Sequence, residues 1–388
     1  MIQIDSKEQC CGCRACEQRC PQKCIEMKTD EEGFLYPVIN LERCIHCNMC
    51  GKVCPVINVE SDQSENLEAF AAYNLDEKCR LESSSGGIFA LLANQILSEG
   101  GVVCGVVMSA GCETVYHKMI ERKEDLLDLR GSKYLQSDPL DVYTKVKQEL
   151  SKNKKVLFTG TPCQVEGLKC FLGRDYENLL CVDFVCHGVP SPKLWEKYVS
   201  HRTKLAKAPP LQAYFRHKKY GWKTFAVLFE YSNNTAYVET VGRDPYMRMF
   251  LRNLCLRPSC YTCRFKKMQR VSDLTMADFW GCDEVCPDLN DNKGLSLIVV
   301  QSEKGKKLLK AIENHMVIRE VDIHKAIKNN SAMLEVCKKP TKRDEFMNDL
   351  QSMEFIDLEK KYIWDNSIRG KIKRLIPKAV KNAIKGYK

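Results

Sequence analysis

Two short segments near the N-terminus constrain this chain more than any other feature. "CCGCRACEQRCP" carries Cys10, Cys13, Cys16 and Cys20 ahead of Pro21, and "CIHCNMCGKVCP" repeats that spacing with Cys44, Cys47, Cys50 and Cys54 ahead of Pro55. Three thiolates at Cys-x2-Cys-x2-Cys spacing can wrap one corner of a 4Fe-4S cube, while the fourth, before proline, turns away to ligate a second cube. The pattern predicts one 4Fe-4S cluster on Cys10, Cys13, Cys16 and Cys54, and another on Cys44, Cys47, Cys50 and Cys20. Zinc knuckles fit poorly, because zinc sites use two well-separated cysteine pairs rather than four cysteines crowded together. Cys11 and Cys24 fall outside the pattern and are expected to be packed thiols.

The chain has 23 cysteines in 388 residues. In a short secreted chain that would mean a disulfide scaffold, but this one is long enough for two or three domains with real cores. The N-terminus lacks the basic and apolar regions of a signal peptide, and no apolar run approaches a membrane span. A reducing cytoplasm is the expected setting, where abundant cysteine means metal or redox chemistry. The net charge of +10 is spread along the chain apart from a basic C-terminus. No aromatic-interleaved basic stripe accompanies it, so nucleic-acid binding is not expected.

The organisation follows from changes in texture. Residues 1–60 form the cluster-bearing module and 61–68 a polar, acidic linker. After it, strand-like and helix-like segments alternate ("AFAAY", "IFALLANQIL", "GVVCGVVM", "KVLFTG", "VEGLKCFLG", "LLCVDFVC"), which argues for an α/β core with a largely parallel sheet. From about residue 211 the pattern becomes apolar-polar alternation, as antiparallel strands require. The expected fold class is mixed α/β: a small α+β module, then an α/β domain with some antiparallel strands. That domain divides into an N-terminal part (69–155) and a C-terminal part (156–300), followed by a helical region (301–388).

Two loops could cradle an anion: Ser83 to Gly87, leading into a helix, and "RGSKY" at 130 to 134. Neither is a recognised dinucleotide or P-loop fingerprint. Cys163 in "FTGTPCQVEG" falls in the first turn of a predicted helix with Thr161 as N-cap and Pro162 at the first helical position, where the helix dipole favours a thiolate. A nucleophile, a redox thiol or a metal ligand all fit that position. Further on, Cys260 and Cys263 pair either with Cys282 and Cys286 around zinc, or with single cysteines elsewhere around a third cluster; spacing alone leaves both open.

The first sixty residues resemble bacterial-type two-cluster ferredoxins. The ordered run of "SSGG" (84–87), "GSKY" (131–134), "GTPCQ" (160–164), "CHGVPSPKLW" (186–195), "LRPSCYTC" (256–263) and "DFWG" (278–281) resembles the coenzyme F-420 hydrogenase/dehydrogenase beta-subunit family. The resemblance implies an iron-sulfur flavoprotein oxidoreductase with a third 4Fe-4S cluster on Cys163, Cys186, Cys260 and Cys263. It also implies FAD near Ser85, Gly86, Gly87, Gly131, Ser132, Lys133 and Thr161. Cys163 and Cys186 both follow predicted strands, at the sheet edge where open α/β folds place their sites. His187 is expected to be an ordinary loop histidine, and Cys79, Cys104, Cys112, Cys170, Cys181 and Cys337 to be packing thiols.

The expected partners are a redox protein or subunit and a hydride carrier, coenzyme F-420 or NAD(P)H. The rival readings are a ferredoxin-linked disulfide or thioredoxin-type reductase using Cys255, Cys282 or Cys286, and a non-catalytic electron-transfer subunit. Either could serve polysaccharide biosynthesis, since some members of the family that the chain resembles occur beside genes of that pathway. No side-chain acid or base is required for hydride transfer, and none is assigned. The tail "SIRGKIKRLIPKAVKNAIKGYK" reads either as a solvated basic helix or as a peripheral docking element for an anionic membrane face or acidic partner.

Overall fold

The computed structural model of the chain describes residues 1–58 and 67–364. Most of the expected linker and the basic tail lie outside the described residues.

In the N-terminal module each cysteine motif follows the same backbone path. Gly12 and His46, and likewise Arg14 and Asn48, have positive φ, so the chain reverses on either side of Cys13 and Cys47. Short helices, Ala15–Arg19 and Met49–Lys52, begin immediately after each reversal. A hairpin joins the two halves: β1 (Ile25–Thr29) and β2 (Leu35–Ile39) pair antiparallel.

The main sheet has eight strands. In chain order these are β3 (Glu68–Asn74), β4 (Val102–Met108), β5 (Val115–Ile120), β6 (Val156–Thr159), β7 (Leu179–Phe184), and then β11 (Leu274–Asp278), β12 (Ser296–Val300) and β13 (Met316–Val321). Between them β8 (Pro210–His217), β9 (Ala226–Tyr231) and β10 (Ala236–Thr240) make a separate antiparallel sheet. The main sheet runs β13-β3-β12-β11-β7-β6-β4-β5. Only β4-β6, β6-β7 and β7-β11 are parallel. The fold is mixed α/β as expected, but the sheet is not largely parallel. The first strand of the domain, β3, is inserted between the last two, β12 and β13, through antiparallel pairings of high sequence separation. The C-terminal region expected to be helical thus also supplies a sheet strand.

The parallel strands dictate where a site can form, because their carboxyl ends open at one edge. β6 leads into helix Pro162–Leu172, which begins with a complete capping box from Thr161 and Gln164. β7 ends two residues before Cys186, and β11 ends at Asp278. A second apolar core, with Trp195, Tyr198, Phe215, Phe229 and Tyr246 fully buried, joins helix Pro192–Ala206 to the smaller sheet. Trp195 is anchored there by donating its indole N–H to the Cys112 carbonyl at 2.7 Å.

The N-terminal module is bound tightly to this core. Arg14 donates to Asp138 at 2.7 Å, and Ser191 Oγ donates to the Glu32 carbonyl at 2.5 Å. Gly33, at φ +88, lies so close to the Lys193 backbone that a Cβ would come within 2.6 Å of its nitrogen.

Candidate iron-sulfur and flavin site

The positive-φ reversals turn the cysteine sulfurs of the module inward onto two pockets. One, with about 310 Å³ of empty space, is lined by Cys10, Cys13, Cys16 and Cys54 together with Cys11. The other, about 350 Å³, is lined by Cys20, Cys44, Cys47 and Cys50 together with Cys24. The pockets group the cysteines in the crossed pattern that the spacing predicts, with the fourth cysteine of each motif in the opposite pocket. The walls are otherwise largely apolar, including Ile2, Ile4, Met27 and Val56 in the first. Such thiols hold a cubane better than they hold protons, because a cationic iron core relieves the repulsion among deprotonated sulfurs. In the first pocket, burial and then the neighbouring thiols push Cys16 well above its ordinary range. Cys47 is exposed, so the second pocket is the outer one.

Cys11 and Cys24 are packed, but against sulfur. Cys24 Sγ lies 3.4 Å from Cys20 Sγ. Cys11 hydrogen-bonds to Cys13 on one side and Cys163 on the other. Helix Pro162–Leu172 also presses on the inner pocket: a Cβ at Gly167 would meet Cys13 Sγ at 3.1 Å.

Cys163, Cys186, Cys260 and Cys263 converge at the carboxyl edge of β6 and β7. Burial pushes the Cys186 thiol up to about 12, with the negative charge of Cys163 and Cys263 adding to the effect. Cys260 is held high by burial and then by Cys186, and Cys263 by burial and then by Cys163. Cys163 stands in the first turn of the helix that the sequence predicts. Its hydrogen bond to Cys11, and then its burial, raise it well above the ordinary thiol value, so the helix start does not by itself give a thiolate. Thr161 Oγ1 lies 3.1 Å from its sulfur. Four partly buried thiols that oppose one another's ionisation fit an iron-sulfur core, which would replace their protons.

The zinc alternative is not assembled. Cys282 and Cys286 pack among Trp222, Phe279 and Leu297, whereas Cys260 and Cys263 border two different cores. Cys255 is fully buried, and burial pushes its thiol up to about 12. Burial likewise raises Cys286 to about 11. None of the three is a poised redox thiol.

The two glycine-serine loops meet. Ser132 N–H donates to Ser84 Oγ at 2.7 Å. The first loop is held from beneath: Gly86 N–H donates to Ser296 Oγ, Ser85 Oγ to the Leu295 carbonyl, and Lys218 Nζ to the carbonyls of Ser85, Arg80 and Lys293. Gly87 caps helix Ile88–Ser98 at φ +82. A Cβ at Gly131 would meet open space. Lys133 turns away from an anion and spends its ammonium on the carbonyls of Asp128, Leu129 and Arg130. The cations beside the loop that the sequence reading missed are Arg216 and Lys218. Arg216 donates to the Ser84 carbonyl at 3.2 Å and to Asp278 at 2.7 Å, and stacks on Phe225 and Trp280. Arg216 lies within the alternating strand β8 and Lys218 just past its end, and neither position gave a signal. Residues 132–138 then run from this loop to the cysteines, where Gln136 Nε2 donates to the Cys11 carbonyl and Gln164 Nε2 to Ser137. His187, as expected, is a loop histidine, with Nε2 2.7 Å from Asn253 Oδ1.

The fold and the doubled cysteine motif define an iron-sulfur electron-transfer oxidoreductase of mixed α/β architecture. A 4Fe-4S dicluster domain matches residues 9–58. Coenzyme F420 hydrogenase/dehydrogenase, beta subunit N-term, matches 69–143, and its C terminus 153–326. The chain therefore belongs to the coenzyme F420 hydrogenase/dehydrogenase beta-subunit family, preceded by a dicluster domain. Among solved structures it is similar to a chain of the F420-reducing nickel-iron hydrogenase complex from Methanosarcina barkeri, at 16% identity and a TM-score of 0.48, covering 78% of this chain and 94% of that one. No curated protein matches it. Among the described residues no helix is long and apolar enough to cross a membrane.

Proposed function

We propose that the protein is an iron-sulfur flavoprotein that exchanges electrons between a redox partner protein and a two-electron hydride carrier, a deazaflavin such as coenzyme F420 or NAD(P)H. Cys10, Cys13, Cys16 and Cys54 hold the inner cluster; Cys20, Cys44, Cys47 and Cys50 the outer one; Cys163, Cys186, Cys260 and Cys263 a third. Ser85, Gly86, Gly87, Gly131, Ser132 and Thr161 contribute to a flavin site, with Lys133 holding its loop from behind. Bound FAD would supply the conversion between one-electron and hydride chemistry.

The observation that carries this reading is the contact of Cys11 with both Cys13 and Cys163, which makes the inner and third cysteine sets neighbours. The exposed Cys47 marks where a partner protein would engage, and the segment 132–138 leads from the third set to the glycine-serine loops. Nothing in this arrangement needs an acid or base; the side chains position, exclude water and tune. The test is anaerobic mixing of the reconstituted protein with reduced F420 or NADH. Bleaching of the flavin and cluster absorbance by one of them is expected, and flavin-free protein with intact clusters would contradict the reading.

A further inference from the structure

Arg257 is fully buried, yet its charge is met only by neutral oxygens: Nε donates to the Cys10 carbonyl at 2.8 Å, Nη2 to the Leu35 carbonyl at 2.9 Å, and Nη1 to Gln136 Oε1 at 3.0 Å. Its guanidinium lies 4.3 Å from the centre of the Tyr36 ring. No ion pair among the described residues includes it; the groups whose negative charge would stabilise it are Cys10, Tyr36, Cys11 and Cys260. Gly12 makes the approach possible, because a Cβ there would fall 2.8 Å from Nη1. A buried arginine without a counter-charge is costly, since removing an ion from water forfeits several kcal/mol unless an opposite charge repays it. Two anionic sites flank this one: Cys10 belongs to the inner set and Cys260 to the third.

We propose that Arg257 is the shared counter-charge of the inner and third cluster sites, a positioning residue that stabilises the more negative, reduced form of each and so holds both at a higher reduction potential than they would have without it. This rests on the cluster assignment proposed above. Charge and hydrogen bonding around the sulfurs are established determinants of such potentials. No cysteine of the outer site is among the groups named as acting on the guanidinium.

The experiment is a redox titration of the intact, anaerobically reconstituted protein followed by electron paramagnetic resonance, with iron counted in each sample. Arg257→Gln should lower the potentials of the inner and third clusters by at least a tenfold change in the reduced-to-oxidised ratio, 59 mV for a one-electron couple, leaving the outer cluster unchanged. Arg257→Lys should recover part of the shift, and Gln136→Glu, which places a carboxylate against the retained guanidinium, should reproduce it even if Arg257→Gln fails to load iron. Inner and third potentials that stay put in Gln136→Glu, or a uniform shift of all three clusters, would overturn the proposal. Wild-type protein holding only about eight irons would instead overturn the assignment beneath it.

Discussion

Glu32 and Arg343, 311 residues apart, are joined by a two-pronged buried ion pair with both N–O distances at 2.6 Å. Arg343 also donates to the Leu256 carbonyl at 2.9 Å. One guanidinium thus ties the hairpin of the cluster module to the loop that carries Cys260. Removing one partner of a buried pair leaves an unpaired charge, which costs about 3–5 kcal/mol. Glu32→Gln should lower stability by that order in anaerobic denaturant unfolding; a loss below about 1 kcal/mol would mean the pair is no stronger than a surface one.

His117 should make the protein acid-sensitive. It is buried, stacked on Phe158 at 5.4 Å, and burial lowers its pKa from 6.5 to about 4. The folded state therefore favours the neutral ring, so its contribution is full above pH 6.5 and is lost as pH falls towards 4. The loss amounts to about 3 kcal/mol. His117→Phe keeps the stacking and should flatten the fall in stability between pH 6.5 and 4, whereas an unchanged slope would assign it to other groups.

Lys218 fixes the serine-glycine loop through three carbonyls, and burial lowers its pKa to about 7. Lys218→Met should release the loop and cut bound flavin several-fold while leaving iron content intact. Equal retention of FAD would place the flavin elsewhere.

Cys24 touches Cys20 at 3.4 Å without belonging to the spacing pattern. Cys20→Ala should remove about four irons per chain and Cys24→Ala none. Loss of iron in both would make Cys24 a ligand.

The cluster module was legible because its chemistry is written locally: fixed cysteine spacing leaves few ways to wrap a cube. The start of helix Pro162–Leu172 was equally local, in Thr161, Pro162 and Gln164. The strand order was not, since pairing β3 between β12 and β13 depends on contacts more than two hundred residues apart, which periodicity does not encode. The same limit hid Arg257 and Lys218, polar residues whose burial is set by other segments. It also hid the contact of Cys163 with Cys11, which raises that thiol although the helix start favours its ionised form.

Iron, sulfide and flavin counted per chain after anaerobic reconstitution, in the wild type and in Cys186→Ser, decide whether the third cluster is present. About twelve irons and one FAD are expected in the wild type, and about eight irons, with the outer and inner clusters retained, in the variant. Equal iron in both proteins, at about eight, would contradict a cluster held by Cys163, Cys186, Cys260 and Cys263.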